Sequence, residues 1–463
     1  MLFSHLKNDV VDDSPGYNHL KNDLINHINK SEKVSPFELY KNEVDHYMEL
    51  IMMSDNLDDL QESFSFFNFF LVENDLIFPP LILNKLLFLI SNHQNQNIGK
   101  LLKLIRLTTS FDSPMQDFYV ENQIFNLLHP YFPHEEVINT YANLSLKSPM
   151  FREFLLNSNI LTFILQNINN EQYFECLINL TKALLYKIDD FSYENFNRNN
   201  GNDFVIRLFI ELFNFLIFRV GSDEKTILIV GAFRDFIEAD IRFLDYFISQ
   251  NFLRIFLKYK TNDLLYIRTV LRICDIMFCK NGEVVHYLLS LNILDWIHSI
   301  IFVDNQEIRS LSFQLLYDLV DYHPSITDDL IRNDMHVFIL PEFSGKASIR
   351  YKRALYKFSC ILLQNITTEF LDELISNKII DIIIHEISLI DADDDDSVLV
   401  LDAILKLQQF LEHDAVHDII YRIKHEEEFT NWILDAAESE NETVADTAYI
   451  VKSFLEGIEE EET

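Results

Sequence analysis

A short pattern of apolar and polar residues recurs along this chain and limits the folds that it can adopt. Two apolar residues are followed by three mostly polar residues, and then by an apolar residue that opens a new hydrophobic run. Successive copies lie about 36 to 46 residues apart, with one doubled interval between the second and third copies. The copies begin at Tyr119, Leu155, Phe247, Leu288, Leu330 and Leu374. A period of this length indicates stacked helical repeats, each burying its apolar face only against its neighbours.

Each period contains two kinds of helical run after this pattern. A short amphipathic run comes first, such as ILTFILQNI from Ile160 or IIDIIIHEI from Ile379. A polar turn then leads to a longer run that is apolar almost all round, such as YIRTVLRICDIMF from Tyr266, as expected for a helix packed between neighbours. Only 8 Gly and 10 Pro leave little material for β-hairpins or glycine-rich loops. The sequence therefore predicts an all-α protein in which repeats of the armadillo or HEAT type stack into one superhelix.

Composition divides the chain into an arm, a solenoid and a tail. Residues 1–35 are polar and mixed in charge, which predicts a mobile N-terminal arm. Residues 36–456 predict the solenoid, with about nine or ten repeats, and residues 457–463 predict an acidic tail. The Asn-rich segment 189–203 and the acidic run 391–396 are expected to be loops inside the solenoid.

The net charge of −36 limits the classes of partner. Binding to nucleic acid or to an anionic membrane surface needs a basic footprint, which this composition does not supply. A negative field instead attracts basic partners, although acidity also serves ordinary solubility. We therefore expect basic peptides or proteins as partners, and neither nucleic acid nor membrane.

The cysteines and the known catalytic motifs point to a non-enzymatic protein. The four cysteines lie in apolar helical runs and residues 1–10 lack the apolar core of a secretory signal, which predicts reduced, buried thiols in a cytoplasmic or nuclear protein. Cys274, Cys279 and His286 fit no standard zinc spacing. Nucleophile-elbow, Walker and kinase signatures are absent from the sequence. We expect no catalytic residue, no metal and no cofactor.

Several local patterns, in order along the chain, resemble the importin-α family of armadillo adaptors. They include INTYANLSLKSPMFREFLL from Ile138, VLRICDIMF from Val270 and ESENETVADTAYIVKSFLEGIEEEE from Glu438. The similarity covers roughly residues 36–462 and lies in register and order more than in identity. It implies a right-handed α-α superhelix with an acidic concave groove. In that family the groove binds nuclear localisation signals or other basic extended peptides for protein import into the nucleus.

The resemblance also implies a set of peptide-binding residues. In the family, a ladder of Trp and Asn on the inner helices holds the cargo, with Trp packing on Lys and Arg stems and Asn clamping the backbone. The corresponding positions here are Asn139, Asn143, Glu175, Asn179, Asp235, Arg272, Asp318 and Tyr356. Only Asn143 and Asn179 match the family's Asn, and no ladder Trp is present. Asp235 and Asp318 would attract a basic peptide, whereas Arg106 would repel one.

The amino end departs from the family. Importin-α proteins open with a dense basic segment that binds an importin-β carrier and otherwise covers the cargo groove, whereas Lys7, Lys21, Lys30 and Lys33 are scattered here among acids. An importin-β-like carrier would therefore need another contact, and a monomer with an open groove is expected. Two alternatives remain: an armadillo scaffold for protein–protein interaction without a transport role, and a nucleotide-exchange cofactor of a heat-shock chaperone.

Overall fold

The structure is a computed structural model that describes most of the chain from Lys41 to Gly457. The described residues are 41–54, 60–63, 65–66, 80–92, 98–109, 119–120, 122–185, 201–221, 225–343 and 346–457. The expected arm at 1–35 lies outside them, as does the expected tail after Gly457. Most of the expected loop at 189–203 also lies outside. Its last three residues are helical, so the loop ends earlier than predicted.

The chain forms two compact units, Met1–Asn157 (unit 1) and Ser158–Thr463 (unit 2). The described residues of unit 1 contain helices but no strand. The α-helices of unit 1 are α1 (Lys41–Met53), α2 (Pro80–Asn92), α3 (Ile98–Thr109), α4 (Ile124–Leu128), α5 (Glu135–Lys147) and α6 (Pro149–Leu156). A 3-10 turn at His129–Tyr131 links α4 to the segment before α5.

The described residues of unit 2 also contain helices but no strand. Its α-helices are α7 (Ile160–Asn167), α8 (Phe174–Leu185), α9 (Gly201–Ile217), α10 (Thr226–Ala239), α11 (Ile241–Ser249), α12 (Leu253–Lys258), α13 (Leu264–Lys280), α14 (Val284–Ser290), α15 (Ile293–Ile300), α16 (Gln306–Tyr322), α17 (Thr327–Arg332), α18 (Ile339–Phe343), α19 (Ile349–Asn365), α20 (Leu371–Ser376), α21 (Ile379–His385), α22 (Asp396–Lys406), α23 (Asp414–His425), α24 (Glu427–Ala437) and α25 (Glu442–Gly457). None of the helices described in either unit is long and apolar enough to cross a lipid bilayer.

The recurring sequence pattern is a turn between two short helices. In five of its six copies, the residue before the new apolar run is left-handed, with φ between 54° and 57°. These residues are Gln123, Asn251, Asn292, Asp334 and Lys378. The N–H group of each donates to the carbonyl three residues earlier, which closes the preceding helix in the manner of a Schellman turn. In the remaining copy, Asn159 has φ of −79°.

Each long helix packs against the long helix of the next repeat. In unit 1, α3 packs on α5. In unit 2 the series is α8, α10, α13, α16, α19, α22 and α25, each in contact with the next. Aromatic rings fill the space between the helices: the ring centroids of Phe213 and Phe233 are 4.3 Å apart, and those of Phe233 and Phe247 are 6.1 Å apart. The all-α prediction is confirmed for the described residues, while the right-handed superhelix stays a prediction.

The cysteines follow the expected burial with one exception. Cys176, Cys274 and Cys360 are buried free thiols, and burial raises the pKa of Cys274 to about 12, which keeps that thiol protonated at neutral pH. Cys279 is exposed, so the prediction of burial is wrong for this residue. It follows Asp275 by four residues and therefore lies on the same, less buried face of α13.

Candidate functional site

One face of the long helices in unit 2 is polar, while most of each helix is buried between its neighbours. On α13, α16 and α19 these polar side chains are three, four or seven residues apart, and such spacings place them on one face of a helix. Two carboxylates of α22 contact this face through Lys357 and Gln364. We call this set the polar stripe. It comprises Arg268, Arg272 and Asp275 on α13; Glu307, Gln314, Asp318 and Asp321 on α16; Arg353, Lys357 and Gln364 on α19; and Asp396 and Asp402 on α22.

Side chains of the polar stripe pair across neighbouring helices. Arg268 and Arg272 both bind Glu307, with nitrogen–oxygen distances of 3.1 and 3.0 Å. Burial acts to raise the pKa of Glu307, but hydrogen bonds from the two guanidinium groups hold it below its ordinary value. Lys357 Nζ lies 2.7 Å from a carboxylate oxygen of Asp396. Much of the positive charge of the polar stripe is therefore neutralised within the chain.

Four carboxylates in the polar stripe lack such a partner. One is Asp402, which accepts a hydrogen bond from the side chain of Gln364 at 3.3 Å. Asp275, Asp318 and Asp321, here called the acidic cluster, form no salt bridge with any Lys or Arg that the structure describes. Burial raises the pKa of Asp318 to about 6, although a hydrogen bond from Gln314 at 3.0 Å acts in the opposite direction. The other two carboxylates raise it further, and burial raises their own pKa values too. Arg272, Arg350 and Lys357 lie close enough to act in the opposite direction on these pKa values, although none of them forms a salt bridge with the acidic cluster. A cation entering the acidic cluster would therefore meet partly desolvated carboxylates that have no direct ionic contact.

The predicted asparagines of α5 lie in unit 1. Asn139 and Asn143 are both half-buried and, four residues apart, lie on one face of the helix. The side-chain amide of Asn143 donates to Thr109 Oγ1 of α3 at 3.2 Å, so part of its hydrogen-bonding capacity is already used. Arg106 Nε lies 2.5 Å from a carboxylate oxygen of Glu136. This contact neutralises the cation that was expected to repel a basic peptide.

In unit 2, a lysine of the chain itself lies beside the next predicted peptide-binding residues, which are on α8 and α10. Glu175 is exposed and Asn179 is half-buried on α8, while Asp235 is on α10. Lys182 Nζ lies 3.1 Å from a carboxylate oxygen of Asp235, and a Cβ atom added at Gly231 would be 3.7 Å from the same Nζ. Lys182 therefore fills the space above Gly231, one turn before Asp235 on α10.

Tyr356 does not lie on a peptide-accessible face. Its side chain is fully buried and its hydroxyl donates to the carbonyl of Ile383 at 2.8 Å, which contradicts the prediction that it contacts a peptide. Cys360, one turn later, is buried as well. The next residue, Lys357, is half-buried and lies on the accessible face instead. The predicted register was therefore wrong by one residue, which corresponds to a rotation of about 100° around the helix axis.

The sequence patterns did not single out two members of the acidic cluster. Asp275 and Asp321 each follow a predicted site residue, Arg272 and Asp318 respectively, by three residues. That spacing puts them on the same helix face and would have been sufficient to find them. Within the described ranges, no group of three or more His, Cys, Asp or Glu side chains is placed to hold a metal ion.

Comparison with known proteins adds evidence on the fold. No protein-family model and no curated protein matches this sequence. An engineered protein solved by the Northeast Structural Genomics Consortium superimposes with a TM-score of 0.62 at 8% identity, covering 89% of this chain and 98% of its own. A likeness at this identity shows the fold alone. The karyopherin Kap121p, bound to the extreme C-terminus of the protein phosphatase Cdc14p, gives a TM-score of 0.33 at 9% identity. That match covers 90% of this chain and 42% of the karyopherin, and it supports no inference about function.

Proposed function

We propose that this chain is a non-enzymatic, peptide-binding adaptor that holds a basic, extended segment of another protein against the polar stripe of unit 2. The observation that supports this proposal is the acidic cluster, whose carboxylates lie on a surface built by successive repeats. They form no salt bridge with a described residue, although Arg272, Arg350 and Lys357 lie near them. A Lys or Arg side chain would form charge-assisted hydrogen bonds there. The net charge of −36 would speed the encounter with a basic partner.

The more specific form of the proposal is an importin-α-like adaptor that binds nuclear localisation signals and acts in the cytoplasm and the nucleus. Its support is the ordered sequence resemblance and the half-buried amide of Asn179 on α8. An importin-β-like carrier would have to bind elsewhere than at a basic N-terminal segment.

A scaffold without a transport role is the second candidate function. It is favoured by the way in which the chain uses its own side chains at positions that the family gives to cargo. Lys182 binds Asp235, and the amide of Asn143 binds Thr109. A groove that is partly filled from within would accept a narrower set of peptides than one that is open along its whole length.

The direct test is a titration of the full chain with a fluorescently labelled bipartite Lys/Arg peptide, at low and at physiological salt. Binding should weaken with added salt, because exposed charges are screened. The variant Asp275→Asn/Asp318→Asn/Asp321→Asn should bind at least about tenfold more weakly, which corresponds to about 1.4 kcal/mol. The matched control removes three exposed carboxylates on other helices. It is Glu211→Gln/Asp245→Asn/Asp418→Asn, and it should bind nearly as the natural chain does.

Two results would count against the peptide-binding proposal: no binding at either salt concentration, or an equal loss of affinity in both triple variants. If binding is found, a second assay distinguishes the transport adaptor from the scaffold. It measures the uptake of a reporter carrying the same peptide into the nuclei of permeabilised cells, with the carrier supplied. Uptake that depends on the adaptor supports transport. Binding without uptake supports the scaffold.

A further inference from the structure

Unit 2 contains a second polar site, a cleft of about 930 Å³. It lies between the connection from α12 to α13 and the short helix α15 of the following repeat. No member of the polar stripe lines it. Its size falls within the range of clefts that take up small ligands or a few side chains of a peptide.

The charge of this cleft is opposite to that of the chain. Arg254, Lys258 and Lys260 line it, although the chain has 73 acidic and only 37 basic residues. Across the residues that the structure describes, no salt bridge or cation–π contact is found for any of the three, and all three are exposed. Asp295 is the single carboxylate among the described lining residues. The cleft therefore concentrates positive charge that the fold does not use elsewhere.

The frame around the three cations is held by contacts of its own. Tyr259 packs edge-on against Tyr266, with ring centroids 5.1 Å apart, and the Tyr266 hydroxyl donates to the carbonyl of Phe256 at 2.9 Å. Asp263 caps α13 by accepting from the N–H groups of Leu265 and Tyr266, at 2.9 and 3.0 Å. The loop is thus fixed before a ligand arrives, which reduces the ordering cost of binding.

Trp296 adds a flat apolar surface to the cleft. The ring is half-buried, and its N–H group donates to no residue in the described part of the chain. An indole offers both a face for packing and a donor for an anionic or carbonyl oxygen. A ligand that contacts both the three cations and Trp296 would combine negative charge with an aromatic or aliphatic group.

We propose that this cleft binds an anionic peptide segment, in which carboxylate or phosphate groups pair with the three cations and an apolar side chain covers Trp296. A peptide is favoured over nucleic acid because a polyanion needs a longer row of cations and would be repelled by a chain of net charge −36. This site is independent of the peptide-binding proposal above, since it uses another surface and a ligand of opposite charge.

The experiment uses the two tryptophans of the chain. Trp432 is buried, and its indole N–H donates to the carbonyl of Ile390 at 2.9 Å, so Trp432→Phe leaves Trp296 as the sole tryptophan. The probe is a short Glu- and Asp-rich peptide with one central phenylalanine, and a second probe replaces one acid by phosphoserine. Saturable binding that changes the emission of Trp296 is expected. Anisotropy of the labelled peptide with the natural chain provides the same measurement if the Trp432 variant does not fold.

Two triple variants separate a local site from the effect of net charge. Arg254→Gln/Lys258→Gln/Lys260→Gln should weaken binding about tenfold, because each exposed ion pair contributes a modest share. The control Arg207→Gln/Lys346→Gln/Lys452→Gln removes the same charge outside the cleft and should change affinity less than about twofold. The phosphoserine probe shows whether phosphate or carboxylate is preferred, and binding of either supports the site.

Three outcomes would overturn the proposal. One is the absence of saturable binding by either peptide. A second is an equal loss in the two triple variants, which would show a response to net charge alone. The third is tighter binding of a single-stranded RNA oligonucleotide that depends on the same three cations, which would make the cleft a nucleic acid site.

Discussion

Ionised Asp318 should destabilise the free protein at neutral pH, and Asp318→Asn should remove that effect. The pKa of this carboxyl is about 6, against an ordinary value of 3.8, because the group is largely buried on α16. The folded chain therefore binds the proton more tightly than the unfolded chain does. The free energy of unfolding falls as the pH rises from about 4 to about 6, and above that range the penalty is constant.

The size of the effect follows from the two pKa values. One unit of pKa difference is worth about 1.4 kcal/mol, so the difference between 3.8 and about 6 sets an upper value of about 3 kcal/mol. Asparagine has nearly the same shape and can still accept the hydrogen bond from Gln314. Allowing for partial exposure, we expect the variant to raise the free energy of unfolding by about 2 kcal/mol at pH 7.5.

The pH dependence distinguishes this cause from a general change in packing. At pH 5 part of the penalty has disappeared from the natural chain, so the gain should fall to about 1 kcal/mol. Urea unfolding of both proteins at these two pH values measures the difference, and both values lie above the pI of about 4.6. Asp245→Asn, at an exposed position on α11, is the control and should change little at either pH.

A gain of the same size at both pH values would refute the reasoning, because it would not involve titration of a carboxyl group. Loss of stability at pH 7.5 would refute it as well. That result would mean that the ionised carboxylate makes a favourable contact outweighing its burial, and the acidic cluster would then be a structural feature of the fold.

Three further predictions concern single residues. Lys378→Gly should raise the free energy of unfolding by up to about 1 kcal/mol in urea, because glycine adopts the φ of 57° without a clashing Cβ. Tyr356→Phe should lower it by about 1 to 2 kcal/mol, since the carbonyl of Ile383 loses its buried partner, and peptide affinity should not change. Lys182→Ala should remove one of the two cations that bind Asp235, leaving Arg234, and should strengthen binding of the basic peptide about twofold in the same titration. An unchanged free energy of unfolding would contradict either of the first two predictions, and an unchanged peptide affinity would contradict the third.

The sequence predicted the repeat turns well because their signal is local. The pattern marks both the end of one short helix and the apolar start of the next, and five copies share a left-handed residue between them. Asparagine and aspartate, at Asn251, Asn292 and Asp334, are residue types that tolerate this conformation. Helix starts could therefore be read from a few neighbouring residues without knowledge of the tertiary fold.

The register of a long helix was harder to predict, because a helix that is apolar almost all round gives little indication of which face is exposed. Tyr356 was placed on the polar face for this reason, and the structure puts Lys357 there instead. The pairing of Lys182 with Asp235 was also out of reach, since it joins side chains from two different repeats. The basic cleft did have a local signal: Arg254, Lys258 and Lys260 lie close together in an acidic chain.

The distribution of internal ion pairs gives the polar stripe a selectivity that its composition alone would not suggest. Where a carboxylate such as Glu307 or Asp396 already binds a cation of the chain, an incoming lysine must displace that cation and gains little. Asp318, by contrast, is largely buried and forms no salt bridge with a described residue. A cation of the ligand would form that salt bridge and offset the cost of burying the ionised carboxylate. Binding would also lower the pKa of Asp318 and release a proton below about pH 6. The affinity for a basic segment should therefore depend on placing one cation at this position more than on the total positive charge of the peptide.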